Sequence, residues 1–349
     1  MSNKTLIVIP NDTLGGAEQI LKMITNHQSE KNIVNICFLK KKSTSSWDDI
    51  LVKNNITANY GRFGSEYLGL ISLFFFLLKS RKYDYLFTSH VLVTGFLGFL
   101  IKIKIINITC FVGRESTSIF DRFSGFKLLL YRFMYYIGYD NLNLLICQTQ
   151  YMEDRLRENL SSLFDKIKVR TISNPIDLSK IKVKENIEFI EDEYIVSAGR
   201  LIEEKGFDIL INAFTILKNK YPSLKLIILG EGKERLELEK LINKLHLQED
   251  ILLPGFVENV FTYFKKAKVC VVSSRIEGFP NVLLQMMSQN NRVVSTLCAG
   301  GIENIRGVYT SKTNDCINLS NTLVRALEDD AEKNRFLFDE ELNNRSIKK

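Results

Sequence analysis

Short apolar runs alternate with helical patterns along this chain, and the alternation stops once and then begins again. In the first half the apolar runs fall at 4–9, 33–39, 84–89, 104–111, 143–148 and 168–172, with helical patterns at 16–29, 66–80, 92–101, 120–137 and 150–160. Short strands without a solvated face, each followed by a helix, predict a doubly wound parallel sheet with helices on both sides. Ser173-Asn174-Pro175-Ile176-Asp177 interrupts the pattern, because Pro175 ends the strand before it. Lys180 to Glu193 is then highly charged and has no clear period. The alternation resumes at Tyr194-Ile195-Val196-Ser197-Ala198 and passes through a helix with Phe207, Leu210, Ile211, Phe214 and Leu217 on one face. Further strands are predicted at 224–229, 251–253, 269–272 and 292–296, and a last helical region at 319–342. A length of 349 residues exceeds one ordinary core and suits two, of roughly 150–175 residues each.

Within the second half, one strand–turn–helix is a candidate ligand site. The buried run Val269-Cys270-Val271-Val272 leads into Ser273-Ser274-Arg275-Ile276-Glu277-Gly278-Phe279-Pro280-Asn281. Gly278 permits a tight turn, and Pro280 has its φ set for the first turn of a helix, whose unpaired N–H groups attract anions. Glu277 brings a carboxylate to the same place, and Gln285 lies about two helical turns further on. In the first half, Gly15-Gly16 between the first strand and first helix is either a plain turn or a close backbone approach to a ligand. His90 and the Arg114-Glu115-Ser116 turn also follow strands. His90 reads as a structural histidine or a ligand contact, and Arg114, by charge and position, as a candidate phosphate contact.

Six cysteines lie scattered, mostly in apolar runs and without CxxC spacing, which predicts reduced, buried thiols in a cytoplasm. The opening Lys4 to Pro10 reads as a first strand and not as a signal peptide. Leu68 to Leu78 and Val91 to Ile101 are the longest apolar stretches, short of the ~18–20 residues that span a bilayer, so each reads as a core helix or as a shallow membrane contact. The net charge is +7, with Lys40 to Lys42, Lys79 to Lys82, Lys102 with Lys104, and Arg122 to Arg132 all in the first half. Each cluster reads as ordinary solvated surface or as part of a basic face that would serve an anionic membrane or a diphosphate-bearing substrate. No nucleic-acid motif is recognisable, which sets nucleic acid aside as a partner.

The second half resembles the retaining GT-B glycosyltransferases of family 4. The resemblance rests on Gly199-Arg200 with Lys205-Gly206-Phe207-Asp208, Gly230-Glu231-Gly232, Pro254-Gly255-Phe256-Val257, Ser274 with Glu277-Gly278-Phe279-Pro280-Asn281, and Gly300-Gly301 with Glu303, in family order over about 110 residues. Gly15-Gly16-Ala17-Glu18 and Ser173 to Asp177 extend it loosely into the first half. The resemblance implies an α/β GT-B fold, two Rossmann-like doubly wound parallel-sheet domains facing a cleft. Residues 1–177 would hold the acceptor and 178–325 the nucleotide-sugar donor, while 326–349 would form a helix crossing back to the first domain.

It further implies that Arg200 and Lys205 contact the donor diphosphate, helped by Gly15 and Gly16. Glu277 would meet the sugar hydroxyls and the positive charge at the anomeric carbon. Gly278, Phe279, Pro280, Asn281, Gly301 and Glu303 would line the sugar and diphosphate, and Val257 would contact the base through its backbone. Gln285 stands where the family usually has a second Glu on the ribose; an amide still accepts a hydroxyl hydrogen bond but without charge assistance. The stretch after that helix, Met287 to Arg292, also lacks the family's Ala, Gly and Pro. His90 and Arg114 remain the acceptor-side candidates. No convincing Asp-x-Asp metal motif is present: Glu191-Asp192-Glu193 lies in the linker and Asp48-Asp49 in a polar loop. The expectation is therefore a metal-independent hexosyltransferase without cofactor. It would be cytoplasmic, peripherally associated with the inner membrane, and move a sugar from a UDP-sugar to a lipid-diphosphate-linked oligosaccharide in O-antigen or capsule assembly. A GDP-sugar, a soluble acceptor, or a silent nucleotide-sugar-binding partner of another transferase stand as alternatives.

Overall fold

A computed structural model describes residues 2–42, 45–178 and 193–346. The charged stretch at 180–192, with Glu191 and Asp192, lies outside the described residues. The chain divides into two units, Met1–Ser173 and Asn174–Lys349.

The first unit is built on seven strands: β1 (Lys4–Asn11), β2 (Ile33–Lys40), β3 (Ile56–Tyr60), β4 (Lys82–Thr88), β5 (Asn107–Arg114), β6 (Leu144–Cys147) and β7 (Lys168–Thr171). They run parallel in the order β3-β2-β1-β4-β5-β6-β7. Alternate side chains of one strand enter opposite layers, as the two-residue period of a strand requires. Leu6 and Val8 pack with Leu97, Phe111 and Tyr135 on one face, and Ile7 and Ile9 with Leu21, Phe38 and Trp47 on the other.

The second unit repeats the plan with β8 (Tyr194–Ala198), β9 (Lys225–Leu229), β10 (Ile251–Gly255), β11 (Val269–Val272), β12 (Val293–Thr296) and β13 (Tyr309–Ser311), ordered β10-β9-β8-β11-β12-β13. Its neighbouring strands all pair in parallel. Val196 and Cys270 face one core layer, Ile195 and Val271 the other. The predicted doubly wound α/β architecture is therefore present twice. In each sheet the strand order reverses at one point, between β1 and β4 and between β8 and β11, and ligands of open α/β sheets bind beyond the strand ends at such a point.

Several boundaries differ from expectation. The helix predicted over 120–137 is two, Ile119–Arg122 and Gly125–Gly138, broken where Gly125 takes φ +58°. The last helical region splits into Cys316–Glu328 and Asn334–Asn344, because Asp329 is extended. The second of these buries Phe338 and Leu342 in the core of the second unit, alongside Leu283 and Met286, and Ser346 bridges to Ile176 of the same unit. Asp48-Asp49 opens a short helix, Asp48–Leu51, where Asp49 pairs with Lys22 at 2.5 Å. Val91–Lys102 is a core helix with seven buried residues. All six cysteines are free, four of them buried. No helix among the described residues is long and apolar enough to cross a membrane.

Candidate functional site

The turn after β8 and the turn after β11 meet at the reversal point of the second sheet, since their strands are direct neighbours through Val269↔Ile195 and Cys270↔Val196. The first turn carries Lys205, the second Glu277. Lys205 Nζ donates to Glu277 Oε1, and both side chains are largely buried. The same oxygen accepts Ser274 Oγ at 2.8 Å.

A lattice of hydrogen bonds holds the two turns in this register. Ser273 Oγ donates to the Lys205 carbonyl at 2.9 Å. Arg275 grips Asp208 with both terminal nitrogens, at 2.8 and 2.6 Å, while one of them also reaches the Glu203 carbonyl at 2.7 Å. Its backbone N–H donates to the Glu204 carbonyl at 2.8 Å. Burial works against the Asp208 carboxylate, yet the Arg275 hydrogen bond and charge hold it below its usual range. The turn after β12 joins as well: Thr296 Oγ1 donates to the Ser274 carbonyl at 2.6 Å, and the Glu277 N–H to the Cys298 carbonyl at 2.7 Å. Burial pushes the Cys298 thiol up to about 12, which keeps it protonated beside Glu277.

Two glycines make this closeness possible. Gly206 takes φ +60°, and a Cβ there would stand 2.3 Å from the Ser273 carbonyl oxygen. Gly230 takes φ +143°, with its hypothetical Cβ 1.9 Å from the Gly199 carbonyl oxygen. Both obstacles are backbone atoms that cannot swing away.

The other candidates of this unit surround the pair unequally. Asn281 opens the Asn281–Met287 helix behind Pro280 and accepts a 2.6 Å hydrogen bond from buried Asn174. Phe279 is buried, its ring 4.7 Å from the Arg345 guanidinium. Gly278 is buried in the turn. Gly301, at φ +91°, donates its N–H to Glu303 Oε2 at 3.0 Å, so this carboxylate serves its own turn. Val257 packs against the core. Arg200 is exposed and stands outside the Lys205–Glu277 pair. Gln285 is partly buried, and its carbonyl accepts from Ser288 Oγ at 2.7 Å.

Gly15, Gly16 and His90 lie in the first unit beyond the ends of β1 and β4, and Arg114 is the last residue of β5, around that sheet's reversal point. Gly15 caps the helix Gly16–Gln28. Glu18 of that helix accepts from, or is paired with, His90 Nε2 at 3.1 Å, so His90 has a carboxylate partner. Arg114 is buried and donates to Ser89 Oγ at 3.2 Å. Burial lowers its pKa to about 10 against the opposing charges of Glu18 and Glu115. Glu115, also buried, accepts Tyr135 Oη at 2.8 Å and Tyr139 Oη at 3.2 Å. Burial raises its carboxyl to about 7 in spite of these hydrogen bonds.

The roles of Asp208, Arg275, Glu18, Tyr135 and Tyr139 escape a sequence reading. Asp208 and Arg275 are 67 residues apart, and nothing local pairs them. Tyr135 and Tyr139 look like members of an apolar helical face.

Two doubly wound parallel sheets in tandem define a GT-B-type fold, and solved structures agree. Anabaena HepE in complex with UDP and glucose superposes with a TM-score of 0.81 at 17% identity, over 99% of this chain and 95% of that one. Residues 179–337, within the second unit, match the family model described as glycosyl transferases group 1. A relative in Campylobacter jejuni, N-acetylgalactosamine-N,N'-diacetylbacillosaminyl-diphospho-undecaprenol 4-alpha-N-acetylgalactosaminyltransferase, is 34% identical over 53% of this chain and 49% of its own length. A second from that organism, GalNAc-alpha-(1->4)-GalNAc-alpha-(1->3)-diNAcBac-PP-undecaprenol alpha-1,4-N-acetyl-D-galactosaminyltransferase, is 26% identical over 81% of this chain and 76% of its own. The chain spans about half the length of the curated relatives that it matches at 34% identity.

Proposed function

We propose that this protein is a retaining glycosyltransferase of family 4, transferring a sugar from a UDP-sugar to a lipid-diphosphate-linked oligosaccharide in surface polysaccharide assembly. The Lys205–Glu277 pair at the reversal point of the group 1 domain carries this reading. A partly desolvated lysine held by one carboxylate is a ready partner for a diphosphate, which competes for the ammonium and frees Glu277 for the sugar. As the bond from the anomeric carbon to the diphosphate oxygen breaks, negative charge grows on the leaving group, and Lys205 stabilises it without a metal. Glu277 faces the positive charge at the anomeric carbon. The acceptor oxygen bonds to that carbon on the same face, and its proton passes to the leaving phosphate, so no protein base is required.

A UDP-sugar donor is in keeping with HepE, crystallised with UDP, and a lipid-linked acceptor with the two Campylobacter relatives whose names carry undecaprenol-linked acceptors. Arg114, with His90 and Glu18 nearby, would meet the acceptor. The protein would work at the cytoplasmic face of the inner membrane. Gln285 in place of the second Glu favours one rival, a silent nucleotide-sugar-binding partner of another transferase. Turnover separates the two: an enzyme releases nucleotide when given acceptor, whereas a binding partner retains affinity for the donor without release. A GDP-sugar or a soluble acceptor would show in the same assay.

A further inference from the structure

Helix Gly125–Gly138 of the first unit turns a stripe of large apolar side chains to solvent. Phe126 is 83% exposed, Leu129 63%, Phe133 54% and Tyr136 77%. Spacings of three, four and three residues put all four on one side. The other side is locked in place. Tyr135 and Gly138 are buried, and the neighbouring Val91–Lys102 helix approaches so closely that a Cβ on Gly98 would lie 2.0 Å from the Gly138 carbonyl oxygen. Helix Glu66–Lys79 has the same division, with Tyr67, Leu68, Ile71 and Phe75 exposed and Gly69, Leu73 and Leu77 buried. Both helices bury their inner faces in one core layer, and Tyr67 lies close enough to Tyr131 to influence its ionisation. Eight large apolar side chains on neighbouring helices exceed the scatter normal for a protein surface.

Charge selects the occupant. Helix Gly125–Gly138 holds Lys127 and Arg132 and no acid, and Arg122 precedes it; all three cations are exposed. Arg122 and Lys127 lie 5.4 and 4.2 Å from the Phe123 ring centre, and Arg132 5.5 Å from that of Phe120. Asp121, the acid adjoining this set, is paired with Arg155 at 2.8 Å. A second copy packed face to face would set these cations against one another. An anionic lipid surface satisfies both halves of the pattern: aromatic rings settle among the headgroups while lysine and arginine reach the phosphates.

We infer that the exposed stripes of helices Glu66–Lys79 and Gly125–Gly138 dock this protein on an anionic bilayer surface. The inference rests on the reading of a lipid-linked acceptor and names the surface that brings the protein to it. The docking helix is also tied to the acceptor-side cation, because its buried Tyr135 holds Glu115, the residue after Arg114.

The test uses the purified full chain with vesicles of phosphatidylcholine, alone or mixed with phosphatidylglycerol. Wild type should sediment with the mixed vesicles and far less with the neutral ones. The triple variant Phe126→Ser/Phe133→Ser/Tyr136→Ser and the double variant Lys127→Glu/Arg132→Glu should each bind roughly tenfold more weakly or worse. Both should keep their UDP-sugar affinity, since they leave the second unit untouched. Phe133→Trp should show a blue-shifted emission on vesicle addition, against a background of the single, buried Trp47. Equal sedimentation of wild type and variants would overturn the proposal. A dimer abolished by the triple variant, without vesicle binding, would overturn it in favour of a second copy. Vesicle binding without transfer to any lipid-linked acceptor would uphold the docking face and remove the functional reading instead.

Discussion

Arg275 grips Asp208 through two hydrogen bonds of 2.8 and 2.6 Å, and the clamp fastens two turns that each carry one half of the candidate site. Lys205 stands three residues before Asp208, and Glu277 two residues after Arg275. A guanidinium fork fits a carboxylate with both arms, which a lysine does not. Arg275→Lys should therefore keep the charge and lose the alignment, lowering kcat by roughly tenfold. The stability cost should stay near ~1 kcal/mol, because the pair is partly exposed. Steady-state kinetics and a thermal melt check this, and an unchanged kcat would show that the clamp does not position the site.

Removing either member of the ion pair should cost more. Lys205→Ala and Glu277→Ala should each lower transfer by on the order of 10²–10³, the loss seen when a single charge-stabilising group is deleted, while both proteins remain folded. Near-normal transfer in both variants, by circular dichroism intact, would refute the site assignment.

Gly206→Ala and Gly230→Ala test the backbone. Each residue has φ in the left-handed range and a carbonyl oxygen within 2.3 Å of the new methyl. Each should lose roughly 2–4 kcal/mol in urea unfolding, from the unfavourable backbone region plus overpacking. Gly64→Ala, with nothing within 4 Å, is the control and should stay within about 1 kcal/mol of wild type.

Glu115 sets a pH dependence. Its pKa rises from 4.5 to about 7 on burial, so between these values the folded state holds a proton that the unfolded state has released. Raising the pH then favours unfolding: the contribution is complete below about 4.5 and lost as pH climbs through about 7. Glu115→Gln removes the titration. The stability of this variant relative to wild type should increase by roughly 3 kcal/mol between pH 4 and pH 8. Urea midpoints at the two pH values measure it, and a constant difference would contradict the shift.

Gln285→Glu should leave transfer intact or tighten UDP-sugar binding, by restoring a charge-assisted hydrogen bond to the ribose. Complete loss in a titration of donor binding would remove Gln285 from the ribose role.

The sequence made the architecture legible because buried parallel strands announce themselves as apolar runs. β3 and β13 were missed for the same reason. Both are sheet edges with one neighbour each, and Thr57, Ala58 and Asn59 in the middle of β3 make no apolar run. Lys205 and Glu277 were legible from spaced motifs that sit on turns after strands. Their partners were not. The Asp208–Arg275 clamp, the Glu18–His90 pair and the Tyr135–Glu115 bond join residues that only the folded sheet brings together. The exposed stripe of Gly125–Gly138 was hidden likewise, because only the fold shows that Tyr135 and Gly138 are on the buried side and Phe126, Leu129, Phe133 and Tyr136 on the exposed one.

The most direct test of the central claim is nucleotide release. Purified protein would be offered UDP-, GDP- and other sugar nucleotides in EDTA, with and without membranes that carry lipid-linked oligosaccharide. The account predicts release of UDP from one donor, dependent on those membranes and indifferent to EDTA. Donor binding without release under every acceptor offered would contradict it and make the protein a nucleotide-sugar-binding partner.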